Sequence, residues 1–260
     1  MYNGRAKRTK YPAAAVVAPP PYGESLFSAL ERRVVRSDGE LRNALTDIAS
    51  QEVGEQFEVN SAPSQSYTYA PRSRSVIEIL SHIRLDSRLE ISTPVHIVGR
   101  GLTLLYGENM DGEVIRVTSP GVWLTGLIVA PTLGTTAQSY GVALHGAHGF
   151  RADGCIIRGT LGGLNTLSGD DESDGLYITN SELGSVSLDT DASVFSNCQM
   201  GAMALQSGSS YNRFVGCDMF SFTESSSCNY NVGSGNLVNT SPTIVGANSL
   251  FDTTYSNVVY

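Results

Sequence analysis

Apolar and polar residues alternate along most of this chain in pieces of three to five residues, each broken by Gly, Asn or Ser. Such period-two pieces predict short β-strands rather than helices, whose apolar positions would return every three or four residues. Between Gly141 and Met219 one pattern recurs. It runs from Val142-Ala-Leu144 to Gly154-Cys155-Ile-Ile157, from Val186-Ser-Leu188 to Asn197-Cys198-Gln-Met200, and from Met203-Ala-Leu205 to Gly216-Cys217-Asp-Met219. Each copy has an alternating apolar pair, a small polar corner, a second alternating piece and then Gly/Asn-Cys-x-Ile/Met. Weaker copies are Ile115 to Val129 and Leu176 to Leu183.

The spacing identifies the architecture. Cys198 and Cys217 lie 19 residues apart; Cys155 and Cys198 lie 43 apart, with room for one coil between. A unit of about 20 residues cannot bury its own apolar row, so units stack and equivalent side chains form ladders. This predicts an all-β chain, a parallel β-solenoid of the right-handed β-helix kind. It winds in rectangular coils, with the corner cysteines facing inward. An antiparallel sandwich also has short alternating strands, but nothing in it would return Gly/Asn-Cys-x-Ile/Met at coil spacing.

Upstream the pattern changes. Residues 1–23 combine Arg5, Lys7, Arg8 and Lys10 with a Pro/Ala stretch and predict an extended arm. Residues 24–84 form a helical cap region. Leu26, Phe27, Leu30 and Val34 have helical spacing, and a second helix begins after Ser37 or Asp38 with Leu41, Leu45 and Ile48 on one face. Gln51 to Arg74 is polar loop, and Val76 to Leu80 carries both strand and helix signals. Residues 85–260 form the solenoid and its C-terminal cap, ending on shorter strands near Leu237, Thr243 and Ser249 and an apolar, aromatic terminus.

The helix Glu40-Leu41-Arg-Asn-Ala44-Leu45, followed by Leu89-Glu-Ile91 and Val95-His-Ile97-Val-Gly99-Arg-Gly101, resembles the opening of pectate-lyase-like right-handed β-helices. The corners Asn197-Cys198 and Gly216-Cys217 resemble that family's Asn-rich turns. The resemblance spans about Ser37 to Met219 and implies the fold; many functions share it.

Composition narrows the function. The net charge is −8, yet the first ten residues are basic and no lysine follows Lys10. An acidic body argues against nucleic-acid binding by the solenoid. No apolar run approaches the ~18 residues of a membrane span. Tyr11 to Tyr22 is too rich in proline to be a signal-peptide core. Cys155, Cys198 and Cys217 are explained as stacked buried hydrophobes, and no Cys/His spacing reads as zinc. No cofactor or metal site is expected.

Candidate chemistry centres on Gly169-Asp170-Asp171-Glu172-Ser173-Asp174-Gly175, with Asp189 and Asp191 at the next corner. Converging carboxylates can serve as general acid and base or hold a hard cation; the plainer reading is a solvated turn between coils. His145 and His148, with Asp153 nearby, make a second candidate without a third ligand spacing. Pectate lyases of this resemblance use a basic catalytic residue beside a calcium site, and Arg151, Arg158 and Arg213 do not match their motifs. Polygalacturonases carry Asp-Asp, Gly-His-Gly and Arg-Ile-Lys motifs; here Asp170-Asp171 is present, His145-Gly146-Ala147-His148 is not Gly-His-Gly, and Arg-Ile-Lys is missing. Trp123 is the only tryptophan, so no long aromatic sugar platform is evident.

The expectation is therefore a structural protein of a virus or phage particle, a capsid-surface decoration or tailspike-like projection. It would be made in the host cytoplasm and displayed on the virion surface as a homotrimer. The arm residues Arg5, Lys7, Arg8 and Lys10 and the face Leu26, Phe27 and Leu30 would attach it to other capsid or tail proteins. The alternatives are a polysaccharide lyase or hydrolase using Asp170, Asp171, Asp174, Asp189 or Asp191, and a non-catalytic adhesin for a surface glycan.

Overall fold

The computed structural model describes residues 31–51, 75–107, 112–131, 139–158, 167–169, 173–240, 242–244 and 249–251. The strands pair in parallel, each with its equivalents one coil earlier and one coil later. Circuits of this kind, with parallel crossovers, wind right-handedly. The molecule is a right-handed parallel β-helix.

It has three faces, not the four of a rectangular coil. Sheet A runs from Glu31–Val35 through Ser75–Ile79, the starts of His96–Gly107 and Trp123–Pro131, then Arg151–Asp153, Tyr177–Thr179, Val194–Ser196, Arg213–Val215 and Val232–Ser234 to Leu250–Phe251. Sheet B runs from Ile83–Leu85 to Leu237–Val238, and sheet C from Leu89–Ile91 to the end of Asp218–Glu224.

Two corners close each coil, and the repeated Gly/Asn-Cys is one of them. Between A and B a single left-handed residue turns the chain: Gly126, Gly154, Asn180, Asn197, Gly216 or Gly235, with φ from 50° to 63°. Only Gly and Asn adopt this conformation cheaply. The turning N–H donates to the next coil, as from Asn197 to Val215 O (2.9 Å) and from Gly216 to Ser234 O (3.0 Å). A Cβ on Gly216 would stand 2.9 Å from Asn197 Oδ1, so the ladder itself selects glycine there. Between C and A the turning residues are Gly121, Gly149, Gly175, Ala192, Tyr211 and Tyr230.

As the sequence predicts, Cys155, Cys198 and Cys217 follow the A–B corner and point inward, fully buried with Cys228. The C–A corner adds a feature that alternation does not announce, a polar ladder inside the core. Asn212 Oδ1 accepts the Ser193 N–H (2.9 Å), Asn231 Oδ1 accepts the Asn212 N–H (2.9 Å), and the Asn212 side-chain amide donates to Thr190 O (2.7 Å). Each buried amide satisfies backbone groups that the corner would otherwise leave without partners.

The helix Asp38–Gln51 covers the N-terminal end and buries Leu41, Ala44, Leu45 and Ile48. Its start is capped as the sequence predicts: Ser37 Oγ accepts the Glu40 N–H (3.3 Å), and the Glu40 carboxylate accepts the Arg36 N–H (2.7 Å). Such a cover is what an open solenoid end requires. The helical spacing expected up to Val34 does not hold from Glu31 onward. Glu31–Val35 is a strand, paired in register with Ser75–Ile79, because Val34-Val35 suits an edge that can be completed from downstream. Val76 to Ile79 is likewise a strand, so the stack begins well before residue 85. Leu26, Phe27, Leu30 and the arm residues 1–23 lie outside the described residues. Among the described residues no helix is long and apolar enough to cross a membrane.

Candidate functional site

The described groove lies on the outer surface of sheet A. Along a strand, successive side chains alternate in and out. Ile97, Leu124, Ala152, Ile178, Phe195 and Phe214 point inward and are fully buried. Their neighbours form two outward rows. One row is His96, Trp123, Arg151, Tyr177 and Val194; the other is Val98, Thr125, Asp153, Thr179 and Ser196. Trp123, Arg151, Asp153, Tyr177, Thr179 and Ser196 line a shallow groove of ≈ 460 Å³, with the corner residues Asn180 and Asn197 at one wall.

Coil stacking brings these groups together. The His96 ring lies on the Trp123 ring, centroids 4.2 Å apart and planes 10° from parallel. The Arg151 guanidinium follows, 5.8 Å from the Trp123 centroid and 5.8 Å from that of Tyr177. A cation between two ring faces is held by the quadrupole of each. Burial holds the His96 imidazole below its usual pKa, and its Nε2 bonds Thr125 Oγ1 at 2.9 Å. Asp153 Oδ1 accepts from Thr179 Oγ1 (2.7 Å) and Asn180 Nδ2 (2.9 Å). The Thr179 bond first and the Asn180 bond second keep its carboxyl below the ordinary aspartate range, so it is ionised at neutral pH.

The carboxylates singled out from sequence occupy a different place. Asp174 and Asp191 sit on the C–A corner, where Asp174 Oδ1 accepts the Asp191 N–H (2.7 Å) and Asp191 Oδ1 accepts the Ser210 N–H (2.6 Å). They form a ladder of side chains bonded to the backbone of the next coil. Burial and the neighbouring Asp174 charge raise the Asp191 pKa, against the Ser210 N–H bond. Asp189 is half-buried near Ser209 Oγ (3.5 Å). None of the three lines the groove. Asp170, Asp171 and Glu172 lie outside the described residues. The candidate His145, His148 and Asp153 grouping does not form: His145 Nε2 lies 3.7 Å from Glu113, His148 Nδ1 accepts the Asp174 N–H at 3.4 Å, and Asp153 faces out from sheet A. Among the described residues, no group of three or more His, Cys, Asp and Glu side chains could hold a metal ion.

A signal for the groove was present in the sequence. Trp123-Leu-Thr-Gly126, Arg151-Ala-Asp-Gly154 and Tyr177-Ile-Thr-Asn180 align when the corner Gly/Asn, rather than the cysteine, sets the register. That alignment puts Trp123, Arg151 and Tyr177 in one outward column.

Three solved structures share this right-handed parallel β-helix. Pectin methylesterase from Aspergillus niger matches with a TM-score of 0.55 at 11% identity, over 89% of this chain and 87% of that one. Alginate lyase from a Paenibacillus species matches at 0.56 and 13%, over 80% and 76%. The Dettilon tailspike protein matches at 0.57 and 11%, over 90% of this chain and 46% of the tailspike. At such identities the likeness is one of fold. No family model and no curated protein matches the sequence.

Proposed function

We propose that this chain is a tailspike-like structural component of a virus or phage particle, whose β-helix projects outward and contacts a surface polysaccharide through sheet A. The observation that carries the reading is the groove itself. It is solvent-open, built from equivalent positions on successive coils, and rich in hydrogen-bonding groups. A polysaccharide is also a repeating chain, and a ladder of coils about 4.8 Å apart offers it repeating contacts. The fold shared with a tailspike over 90% of the chain supports the same reading. The basic, Pro/Ala-rich residues 1–23 then attach the projection to capsid or tail proteins, and three copies pack side by side.

A second reading is favoured by Asp153. An ionised carboxylate beside Arg151 is competent as a base or nucleophile, and the likeness to a pectin methylesterase and an alginate lyase fits it equally. One assay separates the two. Purified full-length chain and its Asp153→Asn variant are incubated with polysaccharide, and new reducing ends, unsaturated ends and released alcohol are measured. The structural reading expects no product from either protein. Product from the wild type that falls at least ~100-fold in Asp153→Asn establishes the enzyme instead.

A further inference from the structure

The stacking that assembles the groove also decides what kind of sugar it can take. A neutral sugar is held on an aromatic ring face by its apolar C–H surface. Here the rings are partly engaged within the ladder. His96 covers one face of Trp123, Arg151 stands over the other, and Tyr177 lies between Arg151 and the next coil's Val194. The groove also offers the Arg151 guanidinium and the corner amides of Asn180 and Asn197.

Many of the described arginines are ion-paired, whereas Arg151 and, further along the same outward row, Arg213 are not. Arg32 and Arg100 pair with Glu78, Arg88 and Arg116 with Glu113, and Arg158 with Glu182. Arg151 is exposed and makes no ion pair among the described residues; its only contacts of note are the two rings. Those rings fix the guanidinium without consuming its N–H donors, so the fork is oriented and open. Bidentate pairing with a planar carboxylate is what such a fork does best.

Asp153 stands two residues along the same strand, facing the same way, about 7 Å from Arg151 at the backbone. Both of its donors, Thr179 and Asn180, bond Oδ1, and Oδ2 has no protein partner among the described residues. It is therefore an open acceptor for hydroxyl groups. A positive fork and a negative acceptor spaced by about one sugar ring match a ring that carries a carboxylate at one end and free hydroxyls at the other.

We infer that the groove of sheet A binds a sugar acid of an acidic polysaccharide, with Arg151 taking the carboxylate and Asp153 the ring hydroxyls. This rests on the polysaccharide-contact reading given above and adds the ligand class and the residues that set it.

The single tryptophan, Trp123, reports directly on the site. Full-length protein is titrated with oligomers of galacturonate, mannuronate or guluronate, and with the same oligomers after carboxyl reduction, following Trp123 fluorescence and calorimetry. The expected result is binding of at least one acidic oligomer, lost by at least ~10-fold on carboxyl reduction. Arg151→Gln should weaken the acidic oligomer at least ~10-fold, and Arg151→Lys should fall between Gln and wild type because the charge stays but the fork is lost. Arg151 is exposed, so these variants are expected to keep the wild-type circular dichroism. Equal affinity for acidic and reduced oligomers, unchanged in Arg151→Gln, overturns the sugar-acid assignment and leaves the polysaccharide-contact reading standing. Binding of no oligomer of either kind overturns both.

Discussion

Cys155 faces the apolar interior one residue after the left-handed Gly154, and burial pushes its thiol up from 9.0 to about 11. Cys198 is also raised, first by its hydrogen bond with Cys217 and then by burial. Neutral thiols fit these positions; thiolates do not. The folded form therefore holds its Cys155 proton to higher pH than the unfolded chain. Its contribution to stability is complete below pH 9.0 and is lost as pH rises toward about 11. Thermal unfolding should show stability falling across that window, with about 3 kcal/mol of the fall missing in Cys155→Ala. Identical pH profiles for the two proteins would mean that Cys155 is not protected from titration.

A coil is held to its neighbours by ladder bonds at both corners and by side chains stacked in register. Met203 pairs with Phe222, Phe195 stacks on Phe214 with centroids 5.0 Å apart, and Asn212 bonds Asn231. Because each coil meets only its neighbours, stability adds coil by coil. Residues 198–216 make one whole 19-residue period, and removing them joins Asn197 to Cys217, the same corner dipeptide. This deletion should give a folded, cooperatively melting protein with the same far-ultraviolet circular dichroism per residue. Deleting only residues 198–206 puts inward side chains on the wrong positions and should abolish the folded signal. If both deletions behave alike, in-register stacking is not what specifies the fold.

At the scale of the whole molecule, the proposed role requires assembly. Several large apolar groups lie exposed on the later coils, among them Tyr211, Phe220, Tyr230 and Val232. The basic charge of the arm stands apart from an otherwise acidic chain. Light scattering on the full-length protein should give about three times the 27.7 kDa chain mass. Removing residues 1–23 should leave that mass per β-helix assembly intact while abolishing incorporation into particles. A monomer in solution, or a truncated chain that still incorporates, would remove the corresponding part of the proposal.

Much of the fold was legible in the sequence because burial alternates with period two and coils repeat near 20 residues. The return of Gly/Asn-Cys, the inward cysteines and the Ser37-capped helix all follow from local patterns. Alternation says whether a side chain points in or out, but not which sheet carries it. The three-faced coil was settled by the closing of each coil, with a single left-handed residue at the A–B corner. The groove depended on register across coils of unequal length: 28 residues separate Trp123 from Arg151, and 26 separate Arg151 from Tyr177. Asp174 and Asp191 read as candidate catalysts in one dimension, and became backbone acceptors once the next coil placed its N–H groups beside them. The sequence by itself determined the stacking unit and the side of the strand each residue faces. Only the tertiary structure decided which outward residues meet, because that depends on how each loop length closes the coil.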